Sequence, residues 1–564
     1  MIRKDNTKAN RRRIIFLFFL FIAVFGLIVY RLVNIQFVFA DKYKVEADYQ
    51  HTGDYIIKSK RGKILDRSGI ELASSLVEKT ITANPKLIKD EDYVAEVIGE
   101  ILGIDKERIK EKLSDKERGF VYIERKVDAY IADKISSYGF EGIGIEDECK
   151  RFYPQNELAS QLIGFTDIDN IGLSGIELGY EELLRGIDGK YSAEKDVFGK
   201  IIEADEESYT APISGSDIVL TIDSGLQFFT ENVLAQAAEQ YNAPRAICVV
   251  MNPGTGEIYS MAQYPTFDLN NYSDYSQEFF SNLGVSFTYE PGSTFKIVNI
   301  SSAIDGGFVG PDQLFHLSPT IKVGDRIIKE THRTYGIDYT VGDIIKYSSN
   351  IGAVTVALAM GSENYYNSII KFGFGNKTGL NIPGEEKGII ADYKAWPAST
   401  IGAIAIGQSI SVTPIQLLRA ASVIANGGYL VNPYIVKEIH QNNGNIEKTI
   451  PDEGIRIISS LAADSVKKMM LQVVESGTGK RAAIEDVLVC GKTGTAQKAN
   501  KSGIGYSEGR VITSFIGFAP YDDPRIACVV IIDEPQGNEE EIWGGTVAAP
   551  LFAEIVEFAL KKVN

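Results

Sequence analysis

The chain is poor in the residues that hold metals or staple small domains: its 564 residues include only four cysteines and four histidines. Cys149, Cys248, Cys490 and Cys528 nowhere stand at C-x-x-C spacing, which excludes a zinc ribbon and a thioredoxin-type redox pair. The last three sit in apolar, strand-like runs, where a thiol behaves as a small buried hydrophobe. His51, His316, His332 and His440 form no pair at metal-ligand spacing, so no metal site is expected. Basic excess is missing as well. A formal net charge of −17 argues against a nucleic-acid partner, whose phosphates demand clustered Lys and Arg. Long apolar runs are absent too, with one exception.

That exception is residues 14–30, an uncharged run of 17 residues bounded by Arg13 and Arg31. Its length is at the short end of what crosses a bilayer, and the flanking arginines can reach outward, so residues 14–33 read as a transmembrane anchor. Arg3, Lys4, Lys8, Arg11, Arg12 and Arg13 precede it and mixed charge follows. Residues 1–13 are therefore expected as a cytoplasmic tail, with the chain from Asp41 onward outside the membrane. Cleavage after Val38-Phe39-Ala40 is the alternative, but that site lies well past the apolar run beside Phe37, which favours a retained anchor.

So long a chain exceeds what one core serves, and two further domains are expected. Residues 41–215 read as a mixed region with a strand near 62–65 and a helix over 92–102. The acidic stretch Glu203, Asp205, Glu206 and Glu207, followed by Pro212 and Gly215, reads as a linker. Residues 216–564 open with a strand at 218–222 and a helix at 224–240. A hairpin follows, 246–251 and 257–262 about the turn Asn252-Pro253-Gly254-Thr255-Gly256. Strands recur at 487–490, 512–518 and 526–532 before a last helix at 549–560. A sheet assembled from both ends of the domain with helices between gives an α+β fold.

Glu290-Pro291-Gly292-Ser293-Thr294-Phe295-Lys296 is the stretch richest in chemistry. Pro and Gly break the chain, and Phe295, Ile297, Val298 and Ile300 predict a buried helix beginning at Ser293. Ser293 and Lys296 then share one face as an i, i+3 pair, about 5–6 Å apart at Cβ. A serine needs a base before it attacks, and a lysine serves once desolvation lowers its pKa. Taken alone, Ser-x-x-Lys is more often a capping serine with a snorkelling lysine. Two further stretches change that balance. Ser348-Ser349-Asn350 is a polar knot before the apolar helix 351–360, and Lys492-Thr493-Gly494-Thr495 follows the strand 487–490. There the glycine admits close approach and the lysine offers charge to a carboxylate. A phosphate-binding loop is excluded, because Asp486 stands where its first glycine would be needed.

Ser-x-x-Lys, Ser-x-Asn and Lys-Thr-Gly, in this order, are the set found in serine β-lactamases and penicillin-binding proteins. The chain resembles class B penicillin-binding proteins in further stretches. Arg61-Gly62-Lys63-Ile64-Leu65-Asp66-Arg67-Ser68-Gly69, then Arg151-Phe152-Tyr153-Pro154 with Gly164-Phe165, then Gly172 to Gly189 with Glu177, look like three motifs of that family's pedestal. Gly407-Gln408, Thr413-Pro414-Ile415-Gln416 and Gly544-Gly545-Thr546-Val547-Ala548-Ala549-Pro550 match within the catalytic domain. Asn156 and Ser409 stand where the family usually has glycine; Asn tolerates a left-handed backbone.

The resemblance implies a penicilloyl-serine-transferase domain at 216–564, with a central antiparallel sheet flanked by helices, on a pedestal at 41–215. It also implies a peptidoglycan D,D-transpeptidase, with Ser293 as nucleophile, Lys296 as acylation base, Ser348 as proton relay and Asn350 holding the substrate amide. Lys492, Thr493, Gly494 and Thr495 would bind the terminal carboxylate, and the backbone N–H groups of Ser293 and Thr495 would form the oxyanion hole. Implied partners are stem peptides, β-lactam antibiotics, the cytoplasmic membrane, a membrane glycan polymerase and divisome proteins; no cofactor is implied. Glu290-Pro291-Gly292-Ser293 leans toward the division or sporulation branch, with an elongation enzyme, a β-lactamase and a β-lactam sensor as alternatives.

Overall fold

The computed structural model describes residues 7–43, 52–195, 201–204, 208–330, 336–500, 505–538 and 541–563. The linker residues Asp205, Glu206 and Glu207, His51, His332, and Arg3 and Lys4 of the tail lie outside the described residues.

Helix α1, Thr7–Val33, carries the apolar run and continues into a π-helical turn, Asn34–Val38. The whole helical segment Lys8–Val38 is long and apolar enough to cross a membrane, and none of its most apolar window is buried by protein. At about 1.5 Å per residue its length exceeds the hydrocarbon thickness.

The chain falls into two compact units, and both are discontinuous in sequence: Met1–Ser59, Lys79–Glu148 and Ile187–Ile213 form one, and Lys60–Glu78, Cys149–Gly186 and Ser214–Asn564 the other. The first unit holds a small core of Ile81, Val94, Ile98, Ile109, Leu113 and Ile123. Its helix Glu91–Leu102 begins where Asp90 accepts from Tyr93 N and stops at Gly103, whose φ of 68° only glycine adopts cheaply.

Within the second unit the three pedestal motifs meet in one buried cluster. Arg61 Nε lies 2.5 Å from Glu177 Oε2, and Arg151 Nε 2.6 Å from Glu177 Oε1, with the carboxylate fully buried. Arg61 also pairs with Glu181 at 2.7 Å, and Arg151 donates to the Gly62 carbonyl at 2.7 Å. Gly62 must be glycine there, since a Cβ would stand 2.0 Å from the Ser216 carbonyl oxygen.

The main sheet of this unit is built from both ends of its last segment. Strands β1 (Arg245–Met251) and β2 (Ile258–Tyr264) form the hairpin read from sequence, and the later strands are β3 (Cys490–Ala499), β4 (Tyr506–Ala519) and β5 (Ile526–Asp533). They lie in the order β2-β1-β5-β4-β3, and every pairing is antiparallel. Period-two alternation puts Ala246, Cys248 and Val250 in one core with the helices Ser224–Gln240 and Ala548–Lys562. Ile247, Val249 and Met251 face the other core, with the helices Lys296–Asp305, Pro414–Ala425 and Ser460–Ser476. Cys248, Cys490 and Cys528 are buried, as apolar surroundings led one to expect.

One strand is displaced from its expected place. Residues 487–490 were read as a strand leading into Lys492, yet β3 begins only at Cys490 and carries the Lys-Thr-Gly-Thr residues itself. Asp486 at φ 60° and the isolated bridge between Ile484 and Val487 turn the preceding residues into a tight reversal.

Candidate active site

Ser293 sits in a 3-10 turn, Gly292–Phe295, and Lys296 is the first residue of the α-helix Lys296–Asp305. The helix was expected to start at Ser293; the tighter turn comes first because Pro291 and Gly292, at φ 57°, bring the chain in from an irregular segment. The consequence helps the pair, for i and i+3 side chains eclipse in a 3-10 turn. Lys296 is completely buried, and its ammonium donates to the Ser348 carbonyl at 2.6 Å, to Asn350 Oδ1 at 2.8 Å and to Ser348 Oγ at 3.3 Å. Ser348 has a φ of 61°, a left-handed conformation unusual for serine, which presents both its carbonyl and its hydroxyl to the lysine.

Lys492 approaches the same hydroxyl from β3. Its ammonium donates to Ser348 Oγ at 2.9 Å and to the Thr493 carbonyl at 3.0 Å, and it too is completely buried. Burial pushes Lys296 down to about 7, and burial together with the neighbouring Lys296 holds Lys492 well below the usual lysine range. Thr493 Oγ1 shares a 2.9 Å hydrogen bond with Thr478 Oγ1, and Thr495 Oγ1 accepts from Gly544 N at 3.0 Å. Gly494 is fixed by crowding: a Cβ there would stand 2.4 Å from Ser514 Oγ and 2.8 Å from the Thr294 methyl. Strand and turn can therefore press together. β3 is also the last strand of the sheet, leaving an edge beside Ser293.

These groups open onto a cleft of about 840 Å³, lined by Ser293, Ser348, Thr493, Thr495 and Trp543 among others. A second cavity of about 390 Å³, lined by Ser293, Asn350, Thr495, Ala496 and Gln408, also reaches the serine. Lys296 and Lys492 thus converge on the Ser348 hydroxyl, and Ser293 lies where the two cavities meet. The donors of the site suit a substrate carboxylate better than a cation.

The description "Penicillin binding protein transpeptidase domain" matches residues 246–557, more than half of the chain, and "Penicillin-binding Protein dimerisation domain" matches residues 56–220. Stage V sporulation protein D of Bacillus subtilis is 33% identical over 566 aligned residues, spanning 98% of this chain and 86% of that protein. The chain belongs to the class B penicillin-binding proteins. A peptidoglycan D,D-transpeptidase FtsI of Buchnera aphidicola is 31% identical, with 100% of this chain and 96% of that protein covered. Among solved structures, penicillin binding protein 3 from Mycobacterium tuberculosis complexed with aztreonam aligns with a TM-score of 0.70 at 26% identity, covering 90% of this chain and 97% of that one.

The two departures from the class B pattern prove conformationally conservative. Asn156 has φ 52° and Ser409 φ 58°, so each occupies a left-handed position where the family has glycine. Ser409 N donates to Glu290 Oε1 at 2.8 Å, which ties its loop to the residue three before the serine. Glu363, in a Glu-x-x-x-Asn spacing suggestive of a β-lactamase base, lies in the first turn of the helix Ser362–Lys371, where Tyr393 OH donates to it at 2.9 Å. Sequence reasoning missed Glu330, Tyr339, Tyr347 and Thr478, all of which line the larger cleft. None carries a motif signal of its own.

Proposed function

We propose that Ser293 is the nucleophile with which this peptidoglycan D,D-transpeptidase forms its acyl-enzyme, and that Lys296 is the base that activates it. The observation that carries this reading is a buried lysine whose pKa falls to about 7, one 3-10 turn from a serine on a cleft. Neutral Lys296 takes the proton from Ser293 Oγ as the oxygen attacks the carbonyl carbon of the penultimate D-Ala. Backbone N–H groups of Ser293 and Thr495 hold the oxyanion, a contribution worth about 10²–10³ in rate. Ser348, bridging Lys296 and Lys492, passes a proton to the departing D-Ala amine as the C–N bond breaks. Asn350 holds the substrate amide, while Lys492, Thr493 and Thr495 take the terminal carboxylate and Gly494 gives the backbone its close approach. An amine of a neighbouring stem peptide then attacks the ester and returns Ser293 to its hydroxyl form.

The same reading divides the molecule into a cytoplasmic tail at 1–13, an anchor at 14–33, a pedestal at 41–215 and a catalytic domain at 216–564 outside the membrane. It gives the enzyme a membrane glycan polymerase and divisome proteins as partners, and it favours the division or sporulation branch. The likeness to Stage V sporulation protein D over 98% of the chain supports that branch. Fluorescent penicillin should label the wild-type chain covalently and fail to label Ser293→Ala; undiminished labelling of that variant removes Ser293 as nucleophile. A fluorescent fusion followed through division and sporulation tests the branch.

A further inference from the structure

Helix Asn350–Met360 begins inside the active site, and the start of any helix leaves backbone N–H groups without intrahelical partners. Ser349 caps one of them, accepting from Gly352 N at 2.9 Å. Two others are taken by a side chain from outside the motif. Glu330 Oε2 accepts from Asn350 N at 2.9 Å, and Glu330 Oε1 accepts from Ile351 N at 3.1 Å and from the Ser349 hydroxyl. The half-buried Glu330 thus grips three consecutive residues at the Ser-x-Asn knot with both carboxylate oxygens. Asn350 is gripped from a second direction, because its Nδ2 donates to the Lys329 carbonyl at 3.3 Å.

We infer that Glu330 is a positioning residue for acylation: its carboxylate fixes the Ser348-Ser349-Asn350 knot against Lys296 and supplies the negative charge that the paired lysines lack. Two lysines converge on Ser348 Oγ, and in a buried pocket each disfavours the other's charged form. Glu330 is the anionic group felt by Lys296, raising its pKa against burial, while Lys296 in turn lowers that of Lys492 on β3. Tyr339, beside Glu330 on the cleft wall, has its own pKa raised by burial and then by that carboxylate. The carboxylate also lies at the positive end of the helix, which favours an anion there. Geometry and charge therefore converge on Glu330, which holds the proton relay and amide-binding groups in register and keeps Lys296 close to half-protonation near neutral pH.

This inference rests on Lys296 being the base, and the test separates the two. The full-length protein in detergent is acylated with fluorescent penicillin over pH 5–9, a range chosen to span about two units either side of the lysine's titration. Wild type, Glu330→Gln, Glu330→Asp and Lys296→Ala are compared, with thermal unfolding of each as a check on folding. In Glu330→Gln the plateau rate should fall about 10- to 100-fold, the size expected when hydrogen bonds to a charged group are lost. Its acid limb should move to lower pH by about one unit, because the opposing charge is gone. Glu330→Asp keeps the charge with a shorter reach, so its limb should stay near that of the wild type while its plateau rate falls. A Glu330→Gln rate within about twofold of wild type, or a lowered rate with an unmoved limb, overturns the proposal. Wild-type acylation and an unchanged acid limb in Lys296→Ala would instead overturn the base assignment.

Discussion

Two buried lysine side chains meeting at one serine hydroxyl make the active site costly to fold near neutral pH, because burial disfavours the proton each would carry in water. Lys296 titrates at about 7 in the folded protein against 10.5 for an ordinary lysine, so between those values the unfolded chain holds the extra proton. Stability from this group therefore rises with pH through that window. Lys296→Met removes the titration. Its melting temperature relative to wild type should be most favourable near pH 7 and should fall steadily toward pH 9, a change of about 2–3 kcal/mol over two units if Lys296 alone accounts for it. A constant difference across that range would show that Lys296 is not held near neutrality. Glu363 permits a second test at this scale. Its carboxylate is engaged by Tyr393 in a helix's first turn, and it lines neither of the two cavities that reach Ser293. The penicilloyl-enzyme should persist long after free penicillin is removed, equally in wild type and Glu363→Gln; rapid loss of label abolished by that substitution would make the chain a β-lactamase in its chemistry. That Lys296, Ser348, Asn350 and Lys492 lie together on the cleft that holds Ser293 was legible because they stand in short, ordered patterns. Glu330 was not, since its partners lie about twenty positions on and one carboxylate in a charged loop carries no pattern of its own.

Elements were legible where burial on one or both faces writes a period into the sequence. The hairpin of β1 and β2 declared itself by apolar runs about Pro253-Gly254, and the helix expected at 224–240 is Ser224–Gln240, which the structure shows to be capped by Asp223. The displaced β3 shows the limit. Lys492, Thr493 and Gly494 do not look like a strand, because close packing on the turn at Thr294 and the cleft override β-propensity there. The pedestal motifs gave their positions but not their purpose, as ion pairing across 116 residues leaves no local spacing. Glu177 lies between two guanidiniums that are themselves almost wholly buried, and Arg151 Nη2 already lacks a partner among the described residues. Removing the shared carboxylate would leave Arg151 without its ion-pair partner and Arg61 with Glu181 alone. Glu177→Ala should destabilise the protein by about 3–5 kcal/mol, read as a marked fall in melting temperature, although Glu177 touches no group of the cleft. A melting temperature within a degree or so of wild type would mean that the cluster is not a structural lock.

For the whole molecule, charge on either side of the membrane helix decides which compartment the cleft faces. Lys8, Arg11, Arg12 and Arg13 lie on the N-terminal side of the apolar run, and cytoplasmic flanks are the ones that collect such residues. The burial pattern makes a thiol test of this practical without rebuilding the core. Cys248, Cys490 and Cys528 are 0% exposed and should resist impermeant maleimides in the folded protein, so only the partly exposed Cys149 has to be replaced, as Cys149→Ser. On that background Leu461→Cys places a thiol at a position 67% exposed, near the start of the helix Ser460–Ser476 of the transpeptidase portion. Lys8→Cys places one on the charged side of the anchor. With intact protoplasts, an impermeant maleimide should modify Leu461→Cys and leave Lys8→Cys untouched until the membrane is opened by detergent. The reverse pattern would put the cleft in the cytoplasm, where peptidoglycan cross-linking has no substrate. Labelling of Leu461→Cys that is then released from the membrane fraction, with a mature N-terminus at Asp41, would show instead that the helix is a leader removed after export.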